Sequence, residues 1–288
     1  MPARVGLVLG GGGVVGVAWE VGILAGLASA LSWDSASAAV VVGTSAGSIV
    51  GTQLRRGTTF DALVDEQRTG TGGEAPSAPP DLEALAEVFG LWGGAEEMTA
   101  DVARRVAERA TTARTVAEDD WVQGITTAVG GDGWPGGDLR VTAVSVATGE
   151  RSVWDAGSGV PLGRAVAGSC SVPGLFPPVQ VGPERFVDGG VWSGSNADVL
   201  LGRGVDVAVF VGPLVGETGV CCVSARALEW EQAELAAAGI PLHSVVPGAA
   251  FAALGANLMD SSMRAEAVDV GRAEGAQAAA DLAPLVLA

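Results

Sequence analysis

The 288-residue chain has no lysine, no tyrosine and a single histidine, His243. Its 16 cations are therefore all arginine, set against 33 acidic residues, for a formal net charge of −17. Nucleic acid is not expected as a partner, because phosphate binding needs clustered cations. The same shortage argues against electrostatic docking onto an anionic membrane, so at most a transient contact with a lipid surface is expected. Cysteine is scarce as well: Cys170, Cys221 and Cys222 are the three present. An odd count with one adjacent pair makes no disulfide framework and has no zinc-ligand spacing. A reducing compartment and no metal are expected. No charge-free stretch of about 20 strongly apolar residues occurs. The apolar N-terminus carries one cation, Arg4, is interrupted by glycines and contains Glu20. It therefore reads as neither a membrane span nor a signal peptide, and a cytoplasmic location is expected.

What the chain has is glycine, 44 residues, and a hydrophobic share of 48%. That composition is globular rather than disordered, and the length suffices for a well-buried core. Val5-Gly6-Leu7-Val8-Leu9 and Val40-Val41-Val42 are apolar without alternation, as strands buried on both faces are. A helical period follows each one, over about 16–31 and 45–55. Strand, helix, strand, helix with such strands predicts an α/β fold with a mainly parallel sheet. The stretch 69–80, rich in Gly and Pro, reads as a loop. A helical insertion is expected over 81–128, strands over 139–147, 151–154 and 205–211, and a helix over 161–169. The C-terminal region, 224–288, reads as helices at 224–238 and 249–280 around a short strand near Ser244. The whole chain reads as one domain, with its core motifs within 5–211.

Two strand-to-helix junctions carry the chemistry. The first is Gly10-Gly11-Gly12-Gly13, after the first strand. A helix start offers unpaired N–H groups and the positive end of the helix dipole, and glycine lets a ligand come close. The site suits negative charge. Gly11, Gly13 and Gly16 fit the dinucleotide spacing, with Asp34 downstream, but Asp34 precedes the second strand where the fingerprint needs it to follow. The missing lysine excludes a P-loop. The rival reading is an oxyanion hole, because the second junction is Gly43-Thr44-Ser45-Ala46-Gly47. A serine between a buried strand and a helix is where a nucleophile elbow belongs, and Gly43 and Gly47 allow the tight turn. The bland alternative is a helix-capping serine.

Ser45 needs a proton acceptor. His243 is the usual residue type, and the order Ser45, Asp188, His243 is that of the α/β-hydrolases. However, Leu242-His243-Ser244-Val245-Val246 reads as a strand start, where a histidine is structural. Asp188, in Phe186-Val187-Asp188-Gly189-Gly190, lies at a strand end and is ionised at neutral pH unless perturbed. Taken alone, D-G-G is equally an ordinary turn.

Four blocks taken together are more specific than any one. They are L-V-L-G-G-G-G-V-V-G-V-A-W-E-V-G-I-L, G-T-S-A-G-S, S-V-P-G-L-F-P-P and V-D-G-G-V-W-S-G-S-N-A-D, in that order over about 5–200. In content and order they resemble the patatin-like phospholipase family. The resemblance implies a three-layer α/β fold and a Ser–Asp dyad without histidine. Ser45 would be the nucleophile, Asp188 the base, and Gly11, Gly12 and Gly13 the oxyanion hole. It also implies a serine acyl hydrolase of lipase, phospholipase A or lysophospholipase type, acting on a lipid or acyl ester with no metal or organic cofactor. Transfer of the acyl group to another acceptor, and a non-catalytic or nucleotide-binding member of the fold, are the alternatives. One position departs from the family's pattern: Val15 stands where a cation is common. In the helical insertion, Phe89, Leu91 and Trp92 either wall an acyl pocket or pack in the core.

Overall fold

A computed structural model describes residues 3–70, 79–216 and 219–287. Most of the stretch 69–80, expected as a loop, lies outside the described residues. The strands are β1 (Val5–Leu9), β2 (Val40–Gly43), β3 (Asp138–Ser145), β4 (Arg151–Trp154), β5 (Val179–Val181), β6 (Glu184–Asp188), β7 (Val207–Val211) and β8 (Leu242–Val245). They form one sheet in the order β5-β6-β3-β2-β1-β7-β8, with β4 antiparallel against β3. From β3 to β8 along that path every pairing is parallel, while β6 runs antiparallel to β3, and β5 to β6.

The helices are α1 (Gly13–Leu31), α2 (Ala46–Arg55), α3 (Phe60–Thr69), α4 (Leu82–Gly93), α5 (Ala100–Ala110), α6 (Glu118–Ala128), α7 (Leu162–Ser169), α8 (Gly219–Ala237), α9 (Ala249–Ala252) and α10 (Arg264–Val286). Successive strand residues point to opposite faces. Leu7, Leu9, Val41 and Val209 thus join one buried cluster with α1, α2, α7 and α10. Val8, Val40, Val42 and Phe210 join another with Leu228 and Leu235 of α8. Helices on both faces of the sheet make the three-layer α/β architecture that the family resemblance implies.

Helix α1 is long and apolar enough to cross a membrane, yet two thirds of its most apolar stretch is buried inside the protein. It packs against α10 at very close range. A Cβ on Gly22 would sit 2.3 Å from the Val268 carbonyl oxygen, and one on Gly271 the same distance from that of Trp19. Within α1, Glu20 is fully buried, and burial raises its pKa well above the carboxylate range.

Three elements differ from the sequence reading. Helix α3 is absent from that reading because it is short and mostly polar, with Leu63, Val64 and Gln67 buried. Strand β5 has only three residues, too few for a period to register. The helical stretch 249–280 is broken: α9 ends early, Gly255 adopts φ +101°, and the Asp260 side chain caps a short turn before α10. The insertion does contain three helices, two of them started by Asp81 and Thr99 side chains that accept N–H bonds.

Candidate active site

Ser45 stands between β2 and α2 with φ +50° and ψ −117°. A non-glycine residue there is strained and persists only where its surroundings enforce it. The enforcement is visible. A Cβ on Gly47 would lie 2.1 Å from the Leu9 carbonyl oxygen, and one on Gly43 2.6 Å from Ser48 Cα. The Gly47 N–H donates to Gly10 O, the Thr44 N–H to Leu9 O and the Ser45 N–H to Ser169 Oγ, all within 3.0 Å. Although Ser45 occupies the helix-cap position, its side chain makes no capping bond. The hydroxyl is left free for other work.

The sheet register brings Asp188 level with it. Gly43 pairs with Val141 of β3, and Asp188 pairs with Ala143 of the same strand. At both positions β4 holds the other edge of β3 (Val141 with Trp154, Ala143 with Ser152), so β2 and β6 follow one another along a single edge, and Ser45, two residues past Gly43 as Ala143 is two past Val141, comes beside Asp188. Asp188 is 2% exposed. Its Oδ1 accepts the Gly190 N–H at 2.7 Å, whereas Oδ2 is buried with no hydrogen-bond partner. Burial pushes the carboxyl up to about 7, against the downward pull of the Ser45 hydroxyl and the Gly190 N–H. The hydroxyl is thus near enough to act on this acid without completing an aligned bond to Oδ2. Looseness of that kind is common before substrate binds.

Behind the pair lies a polar tie that sequence reasoning misses. The Asn196 amide donates to Thr44 Oγ1 at 3.0 Å and to Ser193 O at 2.7 Å, with longer contacts to Thr142 Oγ1 and Gly189 O. Thr44 and Thr142 touch at 2.9 Å. One side chain therefore joins the serine turn, β3 and the segment after Asp188. Asn196 lies inside the S-G-S-N block, but its partners are up to 152 positions away, and no local signal reveals them. Cys170 is a second such residue: its buried thiol donates to Ser45 O at 3.3 Å. Burial raises its pKa strongly, so it stays a thiol and props the turn rather than acting as a nucleophile.

The glycine run differs in one respect from the expectation. The Gly11 N–H is taken by Gly194 O at 2.9 Å. No hydrogen bond engages the N–H of Gly12 or Gly13 among the described residues, and Gly13 opens α1 at φ +61°. Gly13, Val14, Ser45 and Ala46 line one cavity of about 210 Å³. Val15 does not: its side chain is in the core, and its N–H donates to Leu258 O. The cavity walls are largely apolar, from Val17, Ile49, Trp121, Ile125 and Phe176, with Gln67 and Arg264 among the polar lining.

Of the two readings of Phe89, Leu91 and Trp92, pocket wall or core, the cavity wall is not the one found. Trp92 is buried among Val88, Val187 and Val191, and Phe89 is 41% exposed. Neither lines the cavity, nor does Leu91. The insertion contributes α6 instead. Trp121 stacks on Phe176 at 3.9 Å, and its indole N–H donates to Ala167 O and Ser171 Oγ.

His243 is out of reach of Ser45. It lies in β8, three strand spacings from β2, or about 14 Å. Asp34 caps a short turn leading into β2, at the opposite end of the sheet from the glycine run, where it cannot serve a dinucleotide held there. Among the described residues no group of three or more His, Cys, Asp or Glu side chains is placed to hold a metal ion.

The chain is similar to known proteins. The family model described as patatin-like phospholipase matches residues 7–201. The solved structures of VipD from Legionella pneumophila and of the type III effector protein ExoU are similar, at 12% and 15% identity and TM-scores of 0.45 and 0.42. Each similarity covers 97% of this chain, but only 67% of VipD and 53% of ExoU. Among curated proteins none matches the sequence. The family match runs from β1, through both glycine-lined junctions, to the turns beyond Asp188, and on that stretch the chain belongs to the patatin-like phospholipase family.

Proposed function

We propose that this enzyme, a lipid carboxylic-ester hydrolase by family, works through a dyad of Ser45 and Asp188. Asp188 takes the proton of Ser45 Oγ as that oxygen attacks the ester carbonyl carbon. The tetrahedral oxyanion then accepts the N–H groups of Gly12 and Gly13, and such preorganised donors are a large catalytic term. Asp188 returns its proton to the departing alcohol, leaving an acyl-serine. A water molecule, deprotonated by the same carboxyl, attacks the acyl carbon and releases the acid and free Ser45. Gly11, whose N–H is already bonded, supports the loop and takes no part in this hole.

The observation that carries the reading is the strained Ser45 facing a buried carboxyl with an unpartnered Oδ2, beside an apolar cavity. An acid at about 7 is also a better base near neutrality than an ordinary aspartate. The cavity, about 210 Å³, is smaller than the roughly 300–1,000 Å³ of typical ligand pockets, which suits one acyl chain rather than two. A fluorophosphonate reagent tests the nucleophile directly. Its phosphorus bonds to Ser45 Oγ as fluoride leaves, and peptide mass spectrometry should locate the adduct on Ser45. Ester turnover that survives with no label on Ser45 sinks the proposal.

A further inference from the structure

The cavity beside Ser45 is not apolar throughout. Arg264, the first residue of α10, lines it and is only 8% exposed. Its Nε donates to the Oε1 of Gln67, a buried residue of α3, at 3.0 Å, which fixes the plane of the guanidinium. No carboxylate among the described residues forms an ion pair with it. Glu66, which also lines the cavity, is half-buried and does not reach it. Other sheltered arginines are treated differently. Arg140 meets Asp138 and Asp155, Arg151 meets Asp198, and Arg55 donates to three carbonyl oxygens. Among the described residues Arg264 has a single hydrogen-bond partner, the Gln67 amide.

An arginine cannot shed its proton, and a buried charge without a counter-charge is costly. Its two terminal nitrogens form a fork that matches the paired oxygens of a phosphate or carboxylate. We infer that Arg264 is the anion-recognising residue of this cavity and sets the preference at Ser45 for esters that carry an anionic group over neutral ones. This rests on the hydrolase reading of the same cavity. The chain is strongly acidic overall, so an anionic substrate gains little from long-range attraction, and the local guanidinium supplies the recognition.

The test compares a neutral ester, p-nitrophenyl butyrate, with an anionic one, mono-p-nitrophenyl glutarate, in the full chain. Arg264→Gln should lower the anionic-to-neutral ratio of kcat/KM by about 10- to 100-fold, mainly through KM, as loss of bonds to a charged group does. Arg264→Lys should recover part of that ratio. Hexyl phosphate and hexanoate, titrated into Ser45→Ala, separate the two anion types: tight binding of the first alone assigns phosphate, and of the second alone carboxylate. Either binding should weaken by a similar factor when Arg264→Gln is added. An unchanged ratio in folded Arg264→Gln overturns the inference. Should Arg264→Gln fail to fold, hexanol binding Ser45→Ala as tightly as hexyl phosphate and hexanoate overturns it equally. Arg264-dependent binding of hexyl phosphate without turnover of any ester would instead keep the anion site and sink the hydrolase reading.

Discussion

Two buried carboxyls stand at either end of the segment that follows β6, and they are bonded in opposite ways. Asp188 closes β6, and Glu231 projects from α8. Burial pushes each up to about 7. Glu231 Oε2 accepts the Ser195 hydroxyl at 2.5 Å and the Ala197 N–H at 2.8 Å, so it clamps the turn that carries Asn196. Asp188 keeps one oxygen bonded and the other open beside Ser45. A raised proton affinity alone does not distinguish a base from a clamp. An unused acceptor beside a hydroxyl is what the proposed base has and the clamp lacks.

The largest effect that separates them is on rate. Ser45→Ala and Asp188→Asn should each cut kcat on p-nitrophenyl butyrate by about 10³-fold or more, the scale of losing a member of a catalytic unit. Glu231→Gln, which keeps an acceptor for both donors, should stay within about tenfold of wild type in the same assay. Equal losses from the Asp188 and Glu231 amides would erase the distinction.

The next effect is on stability. Removing the Glu231 acceptor with Glu231→Ala strands a buried hydroxyl and a buried N–H, at roughly 1–3 kcal/mol each, and should lower Tm by several degrees. Asp188→Asn should do the reverse at pH 8. An unfolded aspartate loses its proton near pH 4, whereas the folded Asp188 holds it to about 7. Across that window the folded state binds the extra proton, so stability falls as pH rises, and above 7 the buried charge is a net cost. The neutral amide avoids this cost. A calorimetric Tm for Asp188→Asn no higher than wild type at pH 8, or a gain that does not shrink toward pH 4, contradicts the account.

Smaller effects sharpen the same contrast. The kcat/KM of the wild type should rise with pH through about 7 and then level, because only ionised Asp188 takes the serine proton. A profile flat from pH 5 to 9 removes Asp188 from the role of base. The smallest effect belongs to His243→Ala, which should leave kcat/KM within about twofold in that assay, since β8 is three strands from the serine.

Local features were legible in the sequence where one segment contains both the signal and its cause. The unbroken apolar runs of β1, β2 and β7 mark strands covered on both faces. Gly43 and Gly47 flank Ser45 within five residues, so the strained turn can be read directly. Asp188 was legible through its block rather than its own chemistry. Helix α3 and strand β5 are too short or too polar to show a period. The sequence left open whether Trp92 walls the cavity or packs in the core, because a helix does not carry the identity of what it packs against. Only the packing of α6 against α7, and of α4 against α8, decides which tryptophan faces the serine and which faces the core.

The sequence by itself determined the parallel α/β layering, the serine turn and the glycine-lined helix start, because backbone sterics and apolar periodicity act over a few residues. Tertiary structure alone decided that Asp188 rather than His243 stands level with Ser45, since that depends on the β2-β3-β6 register. It decided that Gly11 is occupied while Gly12 and Gly13 are open, through a bond to Gly194 some 180 residues away. It also set Arg264 of α10 in the wall of the Ser45 cavity, without a counter-charge. Burial and hydrogen-bond vacancy are properties of the assembled sheet and its helices, and no segment carries them alone.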